Sequence, residues 1–279
     1  MLRCKIARAI FQISGHLTVF RKHLRALSRR VEPCGNIGPD GCRILHCDSS
    51  RAKMTWEAKR IAAIAPQPIG KYLEIGLRCG RTFQSVPAKA KIGVDPAPLI
   101  NLDRIPSDCR IDVIDSDTYF STVNDIAFDA VYCDGLHEFE QTYRDIINAL
   151  NCCSHIGFVL VDDAVPSSRE AAQPIAQDTV GRLPSETSVD GKWMGDVYKV
   201  VYALQLHSAS LEFRTIVDGA RRPQIVVWRR DDSVIAPKPS AELARFKNLQ
   251  YDNVFLDGIP PEFQATSLSS VIAQLKTRR

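Results

Sequence analysis

Two short acidic segments carry the side chains best suited to chemistry. The segment AVYCDGLHEFE places Asp134 directly after an apolar run and His137 three residues later, and FVLVDDAVP places Asp162 and Asp163 after the next apolar run. Both runs resemble buried strands, and the carboxyl ends of neighbouring parallel strands meet at one edge of a sheet. We therefore expect the three aspartates to converge. Three adjacent carboxylates repel one another, and a divalent cation with oxygen ligands, Mg²⁺ first, would relieve that repulsion.

A plainer interpretation of these segments also exists. Aspartates are common at strand ends and as helix N-caps, and His137 would then be a first-turn helix residue without a chemical role.

A glycine turn lies earlier in the chain, in YLEIGLRCGRTF. The apolar run before it contains Glu74, and Gly76 and Gly80 bracket the turn before a predicted helix. Glycines allow the backbone to approach a ligand closely. Asp95 ends the next predicted strand, where an acidic residue suits the two hydroxyls of a nucleoside ribose. An ordinary tight turn between a strand and a helix is the alternative.

The elements around these segments alternate between strand and helix. Apolar runs predict strands at 71–75, 91–95, 110–114, 129–133 and 156–161, and helical periodicity is clearest over 53–64, 137–150 and 195–206. Such alternation predicts an α/β fold, doubly wound around a mostly parallel sheet. Two late strands, 211–217 and 224–229, have no helix between them and predict an antiparallel pair at the sheet edge.

The glycine segment resembles the first motif of class I S-adenosylmethionine-dependent methyltransferases, an acidic residue followed by Gly-x-x-x-Gly. The resemblance implies a seven-stranded Rossmann-like sheet with one antiparallel hairpin. It also implies that Gly76 and Gly80 line the methionine part of S-adenosylmethionine and that Asp95 holds its ribose. Ser116 and Asp117, after the third strand, fall where that family contacts the adenine.

The acidic segments resemble those of the metal-dependent members of this family. Catechol-type O-methyltransferases hold Mg²⁺ with one aspartate after the fourth strand and an Asp-Asn pair after the fifth. Asp134 and Asp162 match, Asp163 replaces the asparagine, and His137 stands where those enzymes have a lysine base. Asp-x-x-His followed by a carboxylate pair is closer to metal-dependent sugar O-methyltransferases. The resemblance covers about residues 55–230.

The resemblance leads to a specific chemistry. An ordinary hydroxyl has a pKa far above that of histidine, and moving its proton to a neutral imidazole costs about 12 kcal/mol. A divalent cation would lower that pKa, and His137 would take the proton as a general base. The expected function is methylation of a hydroxyl on a small glycosyl or polyol substrate. A catechol or phenolic acceptor, and a non-catalytic nucleoside-binding assembly protein, are the alternatives.

Two further residues are candidates for acceptor contacts. Trp193 and Asp196 follow a proline- and glycine-containing stretch over 166–194, which predicts a long loop of the kind that often covers a site. The indole could stack on a sugar or aryl ring, or could pack the loop onto the core.

The charge distribution divides the chain into three parts. Residues 1–30 contain eight of the 36 basic residues and no acidic ones, whereas all 32 acidic residues lie beyond them. We predict a basic amphipathic arm with a linker over 1–50, a catalytic domain over 51–230 and a C-terminal extension over 231–279. The mildly acidic body, together with the absence of the motif typical of amino-methylating enzymes, argues against a nucleic-acid partner.

The role of the arm stays open between three interpretations. Its apolar stripe up to residue 31 fits packing on the body or self-association, a membrane-surface helix, or a transit peptide. The nine cysteines include five in predicted strands, helices or the glycine turn, which we interpret as small thiols in a reducing, cytoplasmic compartment. Cys34, Cys42 and Cys47 lack the spacing of a zinc ribbon.

Overall fold

The computed structural model describes residues 54–123, 126–174, 193–218 and 222–278. These ranges contain eight strands and eight α-helices. The strands are β1 Ile69–Ile75, β2 Ala88–Val94, β3 Cys109–Asp112, β4 Phe128–Cys133, β5 Cys153–Val161, β6 Leu211–Ile216, β7 Gln224–Arg229 and β8 Ala265–Thr266. The helices are α1 Trp56–Ile64, α2 Arg81–Ser85, α3 Ser116–Thr122, α4 Phe139–Asn151, α5 Val200–Gln205, α6 Ser240–Lys247, α7 Tyr251–Val254 and α8 Leu268–Lys276.

All eight strands form one sheet in the order β3-β2-β1-β4-β5-β7-β6-β8. The strands from β3 to β5 are parallel, and β7 runs antiparallel to both β5 and β6. This confirms the predicted α/β class, the mostly parallel sheet and the antiparallel pair. The order reverses between β1 and β4, and the carboxyl ends of strands beside such a reversal form the ligand crevice of open α/β sheets.

The predicted number of seven strands is wrong by one. The C-terminal extension adds β8, a two-residue strand parallel to β6, so the β6–β7 pair does not form the sheet edge. The extension is held there because its Phe263 is fully buried and the Phe263 carbonyl accepts a hydrogen bond from Thr215 Oγ1 at 2.6 Å. So short a strand carries no apolar run, which is why the sequence does not reveal it.

Alternation along the strands produces two apolar layers. Leu73, Val131 and Val159 face one layer, which includes α4 and α5. Tyr72, Ala130 and Phe158, their chain neighbours, face the other, which includes α1 and α8. Side chains of successive strand residues point to opposite faces, so a sheet covered on both sides needs nearly continuous apolar runs.

The helices differ from the predictions in their bounds. Thr55 caps α1, because its side chain accepts a hydrogen bond from Ala58 N–H, and the helix therefore begins after the predicted residue 53. The predicted helix over 195–206 is a 3₁₀ turn, Val197–Lys199, followed by the short α5. None of the helices in the described ranges combines the length and apolar character that a bilayer crossing requires.

One of the five cysteines predicted to be free thiols forms a disulfide instead. Cys79, in the glycine turn, is disulfide-bonded, whereas Cys109, Cys133, Cys152 and Cys153 are free. The disulfide removes the support that the cysteines lent to a reducing compartment. The arm over 1–50, with Cys34, Cys42 and Cys47, lies outside the described residues.

Candidate functional site

The turn after β1 brings the ends of two central strands into direct contact. Gly76 has φ +84°, and a Cβ atom there would lie 2.0 Å from the carbonyl oxygen of Asp134. Asp134 N–H in turn donates to the Ile75 carbonyl at 2.9 Å, which extends the β1–β4 pairing past the strand ends. Only glycine combines this backbone conformation with so close an approach.

Asp95 fixes the same turn. Its Oδ2 accepts hydrogen bonds from the backbone N–H groups of Leu77 and Arg78, both at 2.9 Å, and its Oδ1 accepts one from Ala97 N–H at 2.7 Å. An ionised carboxylate has about four acceptor sites, so one is left for a ligand hydroxyl. Sequence reasoning placed Asp95 on a ribose, and the structure adds a role in shaping the turn.

Glu74 lies beneath the turn, in the interior of β1. Tyr72 donates its hydroxyl proton to Glu74 Oε2 at 2.5 Å, and the Phe83 backbone in α2 also hydrogen-bonds the carboxylate. Burial raises the pKa of Glu74 well above its ordinary value, and these bonds oppose the rise. Glu74 therefore joins β1 to α2 within the protein interior.

Gly80 begins α2 and permits a second close contact. It has φ +63°, and a Cβ atom there would lie 2.4 Å from Ile100 Cδ1. The loop after β2 thus packs directly on the glycine turn.

Ser116 and Asp117 belong to a network between α3 and α4. The Gln141 amide nitrogen donates to Ser116 Oγ at 3.1 Å and to Asp145 Oδ1 at 3.0 Å, and Arg144 pairs with Asp117 at 3.2 Å. Ser116 also hydrogen-bonds the buried Asp145 side chain. The two residues predicted beside adenine are therefore oriented by α4, the helix that follows His137.

At the carboxyl edge of the sheet, His137 lies beside two carboxylates. His137 Nε2 lies 3.2 Å from Asp134 Oδ1 and within hydrogen-bonding geometry of it. His137 Nδ1 lies 3.2 Å from Asp163 Oδ2 but makes no hydrogen bond there. We call Asp134, His137 and Asp163 the edge cluster; one potential ligand atom from each lies within 4.8 Å of the other two.

Asp162 is at the predicted edge but not in this cluster, which corrects its predicted place among three converging aspartates. Its N–H donates to the Cys133 carbonyl at 3.0 Å, so it sits beside Asp134 as expected. Its side chain turns elsewhere: Tyr132 donates its hydroxyl proton to Asp162 Oδ2 at 2.5 Å, and Oδ1 accepts from Asp163 N–H at 2.9 Å. Both aspartates lie beyond β5, and Asp163 has a left-handed backbone with φ +54°, so the two side chains turn apart and only Asp163 joins the cluster.

Arg222, which sequence reasoning missed, completes the edge. It lies just before β7, and its Nη1 contacts Asp163 Oδ1 at 2.5 Å. The Asp163 side chain is 4% exposed, so the pair is largely desolvated on the carboxylate side. No motif marks Arg222; the only signal is a basic residue in the hairpin that returns to the sheet beside β5.

The charges of this edge depend on one another. Burial lowers the pKa of His137, but the hydrogen bond to Asp134 and the charges of Asp163 and Asp134 outweigh burial and raise it to about 9. Burial raises the pKa of Asp163, against the charges of His137 and Arg222. Burial also raises the pKa of Asp134, to about 7, against the hydrogen bond to His137. Without a further ion at the edge, the raised pKa of His137 favours the protonated imidazole at neutral pH, and Arg222 adds a second cation beside the carboxylates.

Trp193 and Asp196 hold the edge cluster from outside. The Trp193 indole stacks on the His137 ring with centroids 4.9 Å apart, and its Nε1 donates to the Gln173 carbonyl at 2.6 Å. Asp196 Oδ1 accepts from Phe139 N–H at 2.7 Å, and its Oδ2 pairs with Lys199 Nζ at 3.0 Å. Asp196 Oδ1 thus anchors the start of α4 while Oδ2 holds Lys199, so both oxygens are used within the protein, which differs from the predicted contact with an acceptor.

The potential ligand atoms of the edge cluster fit a divalent cation that accepts nitrogen as well as oxygen ligands. Two carboxylates and one imidazole nitrogen lie close enough to share an ion. Mg²⁺ prefers oxygen ligands, whereas Mn²⁺, Fe²⁺ and Zn²⁺ also accept imidazole. A cation bound to all three residues would occupy one nitrogen of His137, which could then not accept a proton, and would compete with Arg222 for Asp163.

Comparisons with known proteins find distant methyltransferase structures. No protein-family model matches the sequence, and no curated protein is significantly similar to it. The structure of mitomycin 7-O-methyltransferase MmcR is similar at 18% identity and a TM-score of 0.38, covering 62% of this chain and 53% of that one. This chain therefore spans about half the length of that enzyme.

Two other structures are similar over more of their length. Cofactor-bound Rv0187 from MTB matches at 15% identity and a TM-score of 0.44, over 77% of this chain and 90% of that one. The N-terminal domain of EvdMO1, in the presence of SAH and D-fucose, matches at 17% identity and a TM-score of 0.39, over 74% and 94%.

Proposed function

We propose that the chain is an S-adenosylmethionine-dependent O-methyltransferase. The observation that carries the proposal is the edge cluster, a histidine between two carboxylates, placed directly beside the glycine turn where the strand order reverses. This crevice is where open α/β sheets bind ligands. The turn offers a close backbone approach, Asp95 offers its remaining acceptor site, and Ser116 and Asp117 border the same edge of the sheet.

The proposed roles follow from the position of each group. S-adenosylmethionine, when bound, supplies a methyl group on a positively charged sulfur. Asp134 orients the His137 imidazole, and His137 in its neutral form accepts the proton of the acceptor hydroxyl. The positive charge of the cofactor would lower the pKa of His137 and so favour that neutral form.

A divalent cation, Mg²⁺ by our sequence prediction, is the finer part of the proposal. Asp134 and Asp163 would hold it, with the His137 nitrogen as a third donor when the imidazole is not a base. Such an ion would lower the pKa of the acceptor hydroxyl. Because Arg222 and protonated His137 already balance the carboxylates, we expect the ion to assist methyl transfer rather than to hold the edge together.

The proposed acceptor is a small glycosyl or polyol hydroxyl, with a catechol or phenol as the alternative. An acceptor with two adjacent hydroxyls suits both a cation and a histidine base. Phenols have a pKa of about 10, well below that of an alcohol, so a phenolic acceptor would depend less on His137 than an alcohol would.

The test separates cofactor binding from chemistry. Isothermal titration with S-adenosylmethionine and its demethylated product measures binding, and methyl transfer to methyl hexopyranosides, myo-inositol and catechol measures activity. We expect His137→Asn to bind the cofactor within a few-fold of wild type and to lose about 10²–10⁴ in the rate of transfer.

His155→Asn is the matched control, because His155 also pairs with an aspartate, Asp232 at 3.0 Å, but on an exposed surface. It should match wild type in both measurements. Absence of cofactor binding by the wild type would refute the proposed function, and a loss below threefold in His137→Asn would remove His137 as the base.

A further inference from the structure

A polar cavity of about 150 Å³ is lined by Gln173, whose carbonyl accepts a hydrogen bond from the indole of Trp193. Three parts of the chain form its walls: residues 169–174, residues 198–199 before α5, and residues 247–252 of the C-terminal extension. The extension therefore contributes nearly half of the lining, although it lies outside the domain that the sequence motifs delimit.

Two short connections join this cavity to His137. The Trp193 indole stacks on the His137 ring and donates to the carbonyl of Gln173, which lines the cavity. On the other side, Asp196 links Lys199, also in the lining, to Phe139 N–H, two residues after His137. Trp193 and Gln173 thus lie between the cavity and the candidate base.

The cations of the cavity are already paired with carboxylates. Arg169 Nε lies 3.3 Å from Asp252 Oδ2, Lys199 Nζ lies 3.0 Å from Asp196 Oδ2, and Lys247 Nζ lies 2.9 Å from Glu140 Oε2. An anionic ligand would have to compete with these carboxylates. A neutral ligand can instead hydrogen-bond to paired charges, and such charge-assisted bonds are stronger than bonds between neutral groups.

The amides of the lining supply complementary acceptors. The Gln173 nitrogen donates to the Arg169 carbonyl at 2.8 Å, and the Gln250 nitrogen donates to the Asn248 carbonyl at 3.3 Å. Each of these amides also has an oxygen that can accept a hydrogen bond, and Asp252 has a second carboxylate oxygen. Adjacent hydroxyls, each a donor and an acceptor, match such alternating partners.

We propose that this cavity is a subsite for the part of the acceptor that does not react, and that it takes a neutral polyhydroxyl ring, such as an uncharged glycosyl unit. This inference rests on the proposed function, and it assigns acceptor recognition to residues 247–252 of the extension together with residues 169–174. The Arg169–Asp252 pair joins the two segments across the cavity. Its carboxylate keeps the arginine from attracting anions and so sets the charge preference of the site.

The experiment measures ligand binding by saturation-transfer difference NMR on the full chain with the demethylated cofactor present. The probes are methyl hexopyranosides and myo-inositol as neutral polyols, glucuronate as their anionic counterpart, and catechol. We expect the wild type to bind at least one neutral polyol with a dissociation constant below about 20 mM and glucuronate more weakly. Asp252→Asn and Gln250→Ala should each weaken polyol binding about three- to tenfold.

Asp252→Asn should in addition strengthen glucuronate binding, because it leaves Arg169 without its carboxylate. Asp232→Asn is the matched control: its carboxylate also pairs with a basic side chain, His155, but away from the cavity. It should leave every affinity unchanged, and circular dichroism confirms that each variant is folded.

The outcomes separate this inference from the proposed function. If the cofactor product binds but no neutral polyol does, or if Asp252→Asn and Gln250→Ala bind polyols like wild type, the subsite is wrong and the methyltransferase proposal stands. Stronger binding of glucuronate or catechol than of any neutral polyol in the wild type also overturns it. If polyols bind as expected and the cofactor product does not, the proposed function fails and the polyol site stands.

Discussion

The glycine turn and the edge cluster lie side by side, yet they are held by different forces. In the turn, backbone groups hydrogen-bond the acidic side chain: Asp95 accepts hydrogen bonds from three N–H groups within the stretch 77–97. At the edge, side chains satisfy one another: His137 lies between Asp134 and Asp163, and Arg222 reaches Asp163 from a hairpin nearly sixty residues away in the chain.

This difference indicates which kind of substitution each region can tolerate. Backbone hydrogen bonds within a short segment define a shape, so a change of shape there should disrupt folding itself. Desolvated charges held by distant segments define an electrostatic balance, so a change of charge there should alter affinity and pH dependence while the fold persists.

The largest expected effect comes from breaking the shape of the turn. Gly76→Ala would place a methyl group 2.0 Å from the Asp134 carbonyl oxygen, and we expect it to lower the free energy of unfolding by more than about 4 kcal/mol. Urea denaturation measures this value.

Gly258→Ala provides the matched control for Gly76→Ala. Gly258 also has a positive φ, +94°, but a Cβ atom there would meet nothing within 4 Å. It should cost only about 1–2 kcal/mol, the backbone strain alone. Equal losses in the two variants would show that close contact between β1 and β4 does not limit stability.

A smaller effect should arise at Asp145, in α4, the helix that follows the edge cluster. Burial raises the pKa of this carboxyl to about 7, although hydrogen bonds from Ser116 and Gln141 oppose the rise. The folded state then keeps a proton that the unfolded state has lost, so this group reduces stability as pH rises from its unfolded pKa to about 7.

The variant Asp145→Asn cannot ionise, so its stability relative to wild type should increase with pH. We expect a relative gain of about 2–4 kcal/mol between pH ~4 and pH ~8, measured by urea denaturation at each pH. A pH-independent difference would show that Asp145 is ionised in the folded protein throughout this range.

The smallest effect should come from changing the charge balance of the edge cluster. In Arg222→Gln, Asp163 loses its cationic partner, so a divalent cation no longer competes with a guanidinium. We expect the affinity for Mg²⁺ and Mn²⁺, measured by isothermal titration, to rise about tenfold or more. Arg230→Gln, which removes an ion pair with Glu212 elsewhere, should leave metal affinity unchanged. Weaker binding by Arg222→Gln would contradict competition, and absence of binding by both variants and wild type would exclude a metal at the edge.

Prediction from sequence succeeded where the signal is local. The apolar runs of β1, β4 and β5 and the periodicity of α4 identify the central sheet and the carboxyl edge at which Asp134, His137 and Asp163 gather. It failed where the signal is weak or absent. The two residues of β8 have no periodicity, and the separation of Asp162 from Asp163 depends on which face each side chain takes after β5.

The order of residue types along the chain, with acidic residues after the strands and glycines at the turn, determined that this protein has a doubly wound sheet with an acidic edge beside a ligand crevice. Only the tertiary structure decided which charges meet there. Arg222 reaches Asp163, and residues 247–252 of the extension close the polar cavity, through contacts between segments far apart in the chain. The physical reason is that apolar periodicity reports burial, which is a local property, whereas the balance of a charged site depends on distances between groups that the chain sequence leaves unspecified.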